Sequence, residues 1–184
     1  MLIVCGPSGA GKSTLGRMVT SPEIVVFEGS VAVADLFREN KLPSEDIIDF
    51  CRRWFRERGG DVFAKENIRR ITNNGIDLER TIFIGCRAAE EVYYLKQHSN
   101  RARAIGVYAD ASLRFQRCLD RNRSDRLETL TDFIKRDMRE LEMGLANLLV
   151  HATDQLVINN ATRAEFEAVA SKIIQDHFSG EYLK

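Results

Sequence analysis

No apolar run in this 184-residue chain approaches the ~20 residues needed to cross a bilayer, which excludes a membrane-embedded helical protein and gives no reason to expect a membrane partner. No basic, hydrophobic leader precedes the first glycine-rich loop, so the expected location is the cytoplasm, or the host cytoplasm if the source is viral. Cysteine is sparse: Cys5, Cys51, Cys86 and Cys118 are scattered and share no metal-ligand spacing with the three histidines. A disulfide framework and a zinc site are therefore not expected, and the four thiols read as small core residues. Charge of one sign is also missing, because 27 Lys and Arg balance 27 Asp and Glu, which argues against a large nonspecific nucleic-acid footprint. Linkers, repeats and low-complexity stretches are absent, and residues 1–184 are expected to form one domain.

What is present is an alternation of short apolar runs with longer amphipathic stretches, the pattern of strands joined by crossover helices around a parallel sheet. "MLIVC" predicts a buried first strand and "GKSTLGRMV" the first helix, followed by "EIVVFE" as a second strand. Residues 30–74 read as a helical excursion, with Ile47, Ile48, Cys51, Trp54 and Phe55 at helical spacing and Gly75 as its stop. "TIFIGC", "ARAIGVYA" and "QLVIN" predict strands three to five, with a helix over "AAEEVYYLKQH" and another from about Ser112 to Asn122. Leu130, Phe133, Ile134, Met138, Leu141 and Leu145 fall on one helical face, and Thr162 with Glu165 forms a capping box ahead of a last helix. The fold class is a three-layer α/β protein with a five-stranded parallel sheet.

Between the first strand and the first helix lies "GPSGAGKST", residues 6–14, which fits G-x-x-x-x-G-K-[ST] in the strand-to-helix context that this motif requires. Gly6, Gly9 and Gly11 let the backbone curl so that successive N–H groups, those of Ser8 and Ala10 among them, converge on phosphate oxygens. Lys12 reaches the β- and γ-phosphates, the Ser13 hydroxyl is suited to Mg²⁺, and Thr14 completes the loop. The loop is expected to grip a nucleoside triphosphate. It does not name the reaction, because switches, motors and small-molecule kinases share it. The guanine-reading N-K-x-D pattern is absent, and no carboxylate closes the strand "TIFIGC".

Four further stretches carry a resemblance: "ADLFRE" at 34–39, "GCRAAEEVYYLK" at 85–96, "RFQRCLDRNRSD" at 114–125 and "RDMRELEMG" at 136–144. In this order they resemble the nucleoside-monophosphate-kinase-like branch of P-loop kinases, closest to small archaeal adenylate-kinase-related or dephospho-coenzyme A kinase-like proteins. The resemblance covers nearly the whole chain. It implies a kinase that uses ATP and Mg²⁺, with a phosphoryl-acceptor site in the excursion at about 30–74, where Asp35, Arg38 and Arg87 face a nucleotide-like acceptor. It also implies that Arg117 packs on the ATP base and that Arg121, Arg123 and Arg126 belong to a lid at about 121–128, joined by Arg136 or Arg139. Lys12, Asp35, Arg123 and Arg126 are the implied catalytic residues. Arginine suits that role because its planar, always-charged donors stabilise a migrating phosphoryl group.

One departure stands out. Ile84 occupies the position where the family has an Asp closing the third strand, so Glu28 or Asp35 is the candidate replacement acid. Residues 51–103 hold twelve Lys or Arg against seven Asp or Glu, which leaves a nucleotide within DNA or RNA open as a second class of acceptor. A regulatory nucleotide-binding ATPase without an acceptor is the third reading.

Overall fold

The computed structural model describes residues 1–120 and 129–179. Five parallel strands form one sheet: β1 (Leu2–Cys5), β2 (Val25–Glu28), β3 (Thr81–Ile84), β4 (Arg103–Tyr108) and β5 (Gln155–Ile158), in the spatial order β2-β3-β1-β4-β5. Central β1 is in register with both neighbours, Leu2 opposite Ile82 of β3 and Arg103 of β4. Its unbroken apolar run is explained by burial on both faces. Ile3 and Cys5 point to one core, with Phe83 and with helices α4 (Val62–Asn73) and α5 (Ala89–Gln97). Leu2 and Val4 point to the other, against Leu15 of α1 (Lys12–Arg17) and Phe166, Ala170, Ile173 and Ile174 of α8 (Arg163–Phe178).

That layering fixes where a ligand can sit. The helix after β1 packs with α8 on one face, whereas the helix after β3 packs with α4 on the other. Because β1 and β3 are neighbours, their connections part at the carboxyl ends of the two strands and open a crevice there.

The excursion at 30–74 is α2 (Gly29–Asn40), α3 (Ile47–Arg58) and α4, and carries a small aromatic core of Phe50, Trp54 and Phe63. Gly75 ends α4 as expected: at φ 64° it lets Ile76 N–H reach the Ile71 carbonyl at 3.1 Å, a six-residue closure that suits glycine. The helix expected from Ser112 is α6 (Ala111–Leu119).

Two expectations need correcting. The stretch from Leu130 to Leu145, expected to present one helix face, is not one regular helix. Helix α7 (Leu130–Glu140) passes into π-helical turns at Leu141–Leu145 and Leu148–Ala152, and Ile134 and Met138 remain 40% and 55% exposed. Its inward side instead carries Phe133, Arg136, Asp137 and Glu140 into the crevice. Cys118 is also not a core thiol; it is half-buried on the crevice wall, unlike buried Cys5, Cys51 and Cys86.

Candidate functional site

The loop between β1 and α1 has the curled backbone that its glycines predict, with φ of 144°, 79° and 115° at Gly6, Gly9 and Gly11. Gly11 is also sterically fixed, since a Cβ there would lie 2.4 Å from Asn159 Nδ2. That amide supports the loop from below by donating to the Ala10 carbonyl at 2.8 Å. Buried Arg114 supports it from the side, donating to the Ser8 carbonyl at 3.2 Å and, through both terminal nitrogens, to Asp137 at 2.7 and 2.6 Å. Lys12 folds over the loop and donates to the Gly6 and Pro7 carbonyls at 2.7 and 2.9 Å. Burial, helped by the Arg87 guanidinium, pushes its ammonium down to about 7.

The loop opens on a cavity of about 530 Å³, within the size range of small-molecule sites. Ser8, Gly9, Lys12 and Ser13 line it. Its apolar lining comes from Val31 and Val33 of α2, Ile47, Ile48 and Cys51 of α3, and Phe63 of α4. Phe115 and Phe133 close the side nearest α6 and α7.

Charged side chains line the same cavity. Arg87, just past β3, meets Glu140 with Nε 3.8 Å from Oε2, and Arg136 Nε lies 3.7 Å from Oε1 of the same carboxylate. Arg87 Nη1 and Glu140 Oε2 are buried without a hydrogen-bond partner among the described residues. Glu91 accepts the backbone N–H groups of Arg87 and Ala88 at 2.6 and 3.0 Å, capping α5, while burial pushes its carboxyl up to about 7. Glu28, at the end of β2, also faces the cavity.

The cavity therefore gathers Lys12, Ser13, Ser8, Gly9 and Arg87 from the expected site. It does not gather Asp35 and Arg38, which pair with each other away from its lining. Asp35 also takes a 2.6 Å bond from Arg70, and these two guanidiniums hold its carboxyl below the usual range, which suits a structural ion pair better than a base. Arg117 lies behind the loop, donating to the carbonyls of Gly9 and Asn159 at 3.5 and 3.1 Å. Arg139 clamps Asp46 and Asp49 of α3. Arg121, Arg123 and Arg126, and with them the expected lid, lie outside the described residues. Sequence reasoning passed over Glu91, Glu140, Arg114 and Asn159. For Glu140 the available signals were its place one helical turn after Arg136 and its membership of the stretch "RDMRELEMG".

Mg²⁺ prefers hard oxygen donors and keeps several waters. Ser13 and Glu28 line the same cavity as the loop and provide such donors, and the described residues form no denser His, Cys, Asp or Glu cluster. This donor set fits a cation shared with phosphate oxygens.

Residues 2–143 match the family model of the AAA domain. The chain belongs to the AAA domain family. Among relatives of this AAA-domain chain, a UPF0200 protein of Sulfurisphaera tokodaii is 30% identical, with 95% of this chain and 96% of the relative covered. Shikimate kinase from Bacteroides thetaiotaomicron superposes with a TM-score of 0.58 at 14% identity over 97% of each chain. Dephospho-CoA kinase from Campylobacter jejuni does so with a TM-score of 0.54 at 14% identity over 98% of each. The AAA-domain chain thus has the fold of these P-loop kinases.

Proposed function

We propose that the protein is a phosphotransferase that moves the γ-phosphoryl group of ATP to a nucleotide-type small molecule, such as a (deoxy)nucleoside monophosphate or dephospho-coenzyme A. One observation carries this reading. The phosphate loop shares one cavity with a group of apolar side chains from α2, α3 and α4, and Arg87, with a buried nitrogen that has no hydrogen-bond partner among the described residues, lines the same cavity. A protein that only hydrolysed ATP would have no need of that apolar lining.

In this reading the backbone of residues 6–14 holds the donor phosphates, with Arg117 behind the loop. Lys12 swings from the Gly6 and Pro7 carbonyls to the β- and γ-oxygens, and Arg87 and Arg136 meet the transferred group from the acceptor side. Mg²⁺, held by Ser13 and Glu28, would neutralise charge on the phosphate oxygens. Arg121, Arg123 and Arg126 are proposed to close over the donor, and α2, carrying Asp35 and Arg38, forms the acceptor-side wall. Apolar Val33, Ile48 and Phe63 take the acceptor's body and exclude water.

The basic excess of residues 51–103 gives little support to a DNA acceptor. Arg52 pairs with Glu142, Arg53 with Glu45, Arg69 and Arg70 with Glu66, Arg80 with Glu23, and Lys96 with Asp154. The test is incubation with γ-³²P-labelled ATP and Mg²⁺ against nucleoside monophosphates, dephospho-coenzyme A and oligonucleotides. Label is expected in one small molecule and is expected to vanish in Lys12→Ala. Release of inorganic phosphate alone, or transfer that survives Lys12→Ala, would overturn the reading.

A further inference from the structure

We propose that Glu140 takes the acceptor's proton, and that the acceptor therefore presents a hydroxyl, not a phosphate, to the donor; the proposal rests on the phosphotransferase reading above. Glu140 is 3% exposed, yet it lines the same cavity as the phosphate loop and the apolar side chains of α3. Its Oε1 is tied down, 3.4 Å from Ser8 Oγ and 3.7 Å from Arg136 Nε. Among the described residues its Oε2 has no hydrogen-bond partner and lies 3.8 Å from Arg87 Nε, while Nη1 of that guanidinium also has none. Buried polar atoms of this kind are costly and call for a partner that a ligand can supply.

The missing partner must accept from Arg87 and donate to Glu140. A hydroxyl does both, because it carries one O–H and two lone pairs. A phosphate dianion only accepts; it would leave Oε2 unsatisfied and set like charges together.

The step balances without a further reactant. The acceptor O–H bond breaks, its proton passes to Glu140 Oε2, and the oxygen forms a bond to the γ-phosphorus. The bond from that phosphorus to the β–γ bridging oxygen breaks, and ADP leaves with the electron pair. Glu140 releases the proton to solvent after product departs. A carboxylate placed in this way contributes about 100-fold or more to a proton-transfer step. The groups that face it are Ser8 and Lys12 of the loop, Arg87 past β3, Cys51 of α3 and Arg136 on its own helix.

The experiment compares wild type with Glu140→Gln and Glu140→Asp, using γ-³²P-labelled ATP against the same small-molecule acceptors, with the product linkage read by ³¹P NMR. The expected product is a phosphate monoester. Glu140→Gln is expected to lower kcat about 100-fold or more and to leave KM for ATP within about threefold. Thermal melting and binding of a fluorescent ATP analogue verify that the variant is folded. If it is not, Glu140→Asp keeps the charge, and a fall in its kcat of tenfold or more with ATP affinity retained is the expected result. A phosphoanhydride product, or full kcat in either folded variant, would overturn the role of Glu140 while leaving the phosphotransferase reading intact. Phosphate release without transfer would overturn both.

Discussion

At Lys12, burial and the Arg87 guanidinium bring the ammonium from its ordinary 10.5 down to about 7, so at pH 8 most of the ligand-free protein carries a neutral amine there. Between those two values the unfolded chain holds a proton that the folded chain has released, and the stability contribution of this group therefore rises with pH across that window. Phosphate oxygens reverse the situation by favouring the charged form. Binding of ATP at pH 8 is expected to take up close to one proton, read by calorimetry in buffers of different ionisation enthalpy. A heat independent of the buffer would mean that Lys12 is already charged. Lys12 was legible in the sequence because motif spacing alone determines its place. Glu140 was not, since nothing in "RDMRELEMG" tells which side of a helix meets a cavity that forms only after α6, α7 and β3 come together.

Elements set the site's shape through their caps and clamps. Asp46 accepts the backbone N–H groups of Ile48 and Asp49, capping α3, and also takes bonds from both terminal nitrogens of Arg139 at 2.7 and 2.9 Å, tying α3 to α7. Asp46→Ala is expected to cost about 1–2 kcal/mol by denaturant unfolding, the range for a lost cap. Because α3 lines the acceptor end, KM for the acceptor should rise more than KM for ATP. At the start of α5, Glu91 has its carboxyl raised from 4.5 to about 7 by burial. Its contribution to stability is complete below pH 4.5 and is lost as pH rises through about 7, because the folded state holds the proton longer. Glu91→Gln is expected to flatten that loss in urea unfolding between pH 4.5 and 7 while preserving the cap; an unchanged slope would place the titration elsewhere. Helix α7 explains why periodicity misled. Its apolar residues are well spaced for burial, but the inward side must serve a polar site, so Ile134 and Met138 stay outside.

Over the whole molecule, strand positions and the order of the helices were legible because both sheet faces are buried and every strand reads as an apolar run bounded by turn signals. The pairing of β1 between β3 and β4 was not, since no local pattern encodes which strands become neighbours. That pairing brings residues 6–14, 28 and 84–91 to one crevice, so a ligand held there braces several elements at once. ATP with Mg²⁺ at 100 times its dissociation constant is expected to add about 2.7 kcal/mol, which is a rise of roughly 5–10 °C in Tm for a domain of this size. Lys12→Ala should abolish most of that rise in a thermal shift measurement. The fit of Gly11 against Asn159 has a consequence for how the chain diverges. The two positions are remote in sequence yet share one contact, in which the bare Cα of the first makes room for the amide of the second. The contact constrains position 159, while Gly11 is held in addition by its φ of 115°. Asn159 lies beyond the stretch that matches the AAA domain model, so the tolerance of the phosphate loop to change is written partly in a segment where the family pattern has already ended.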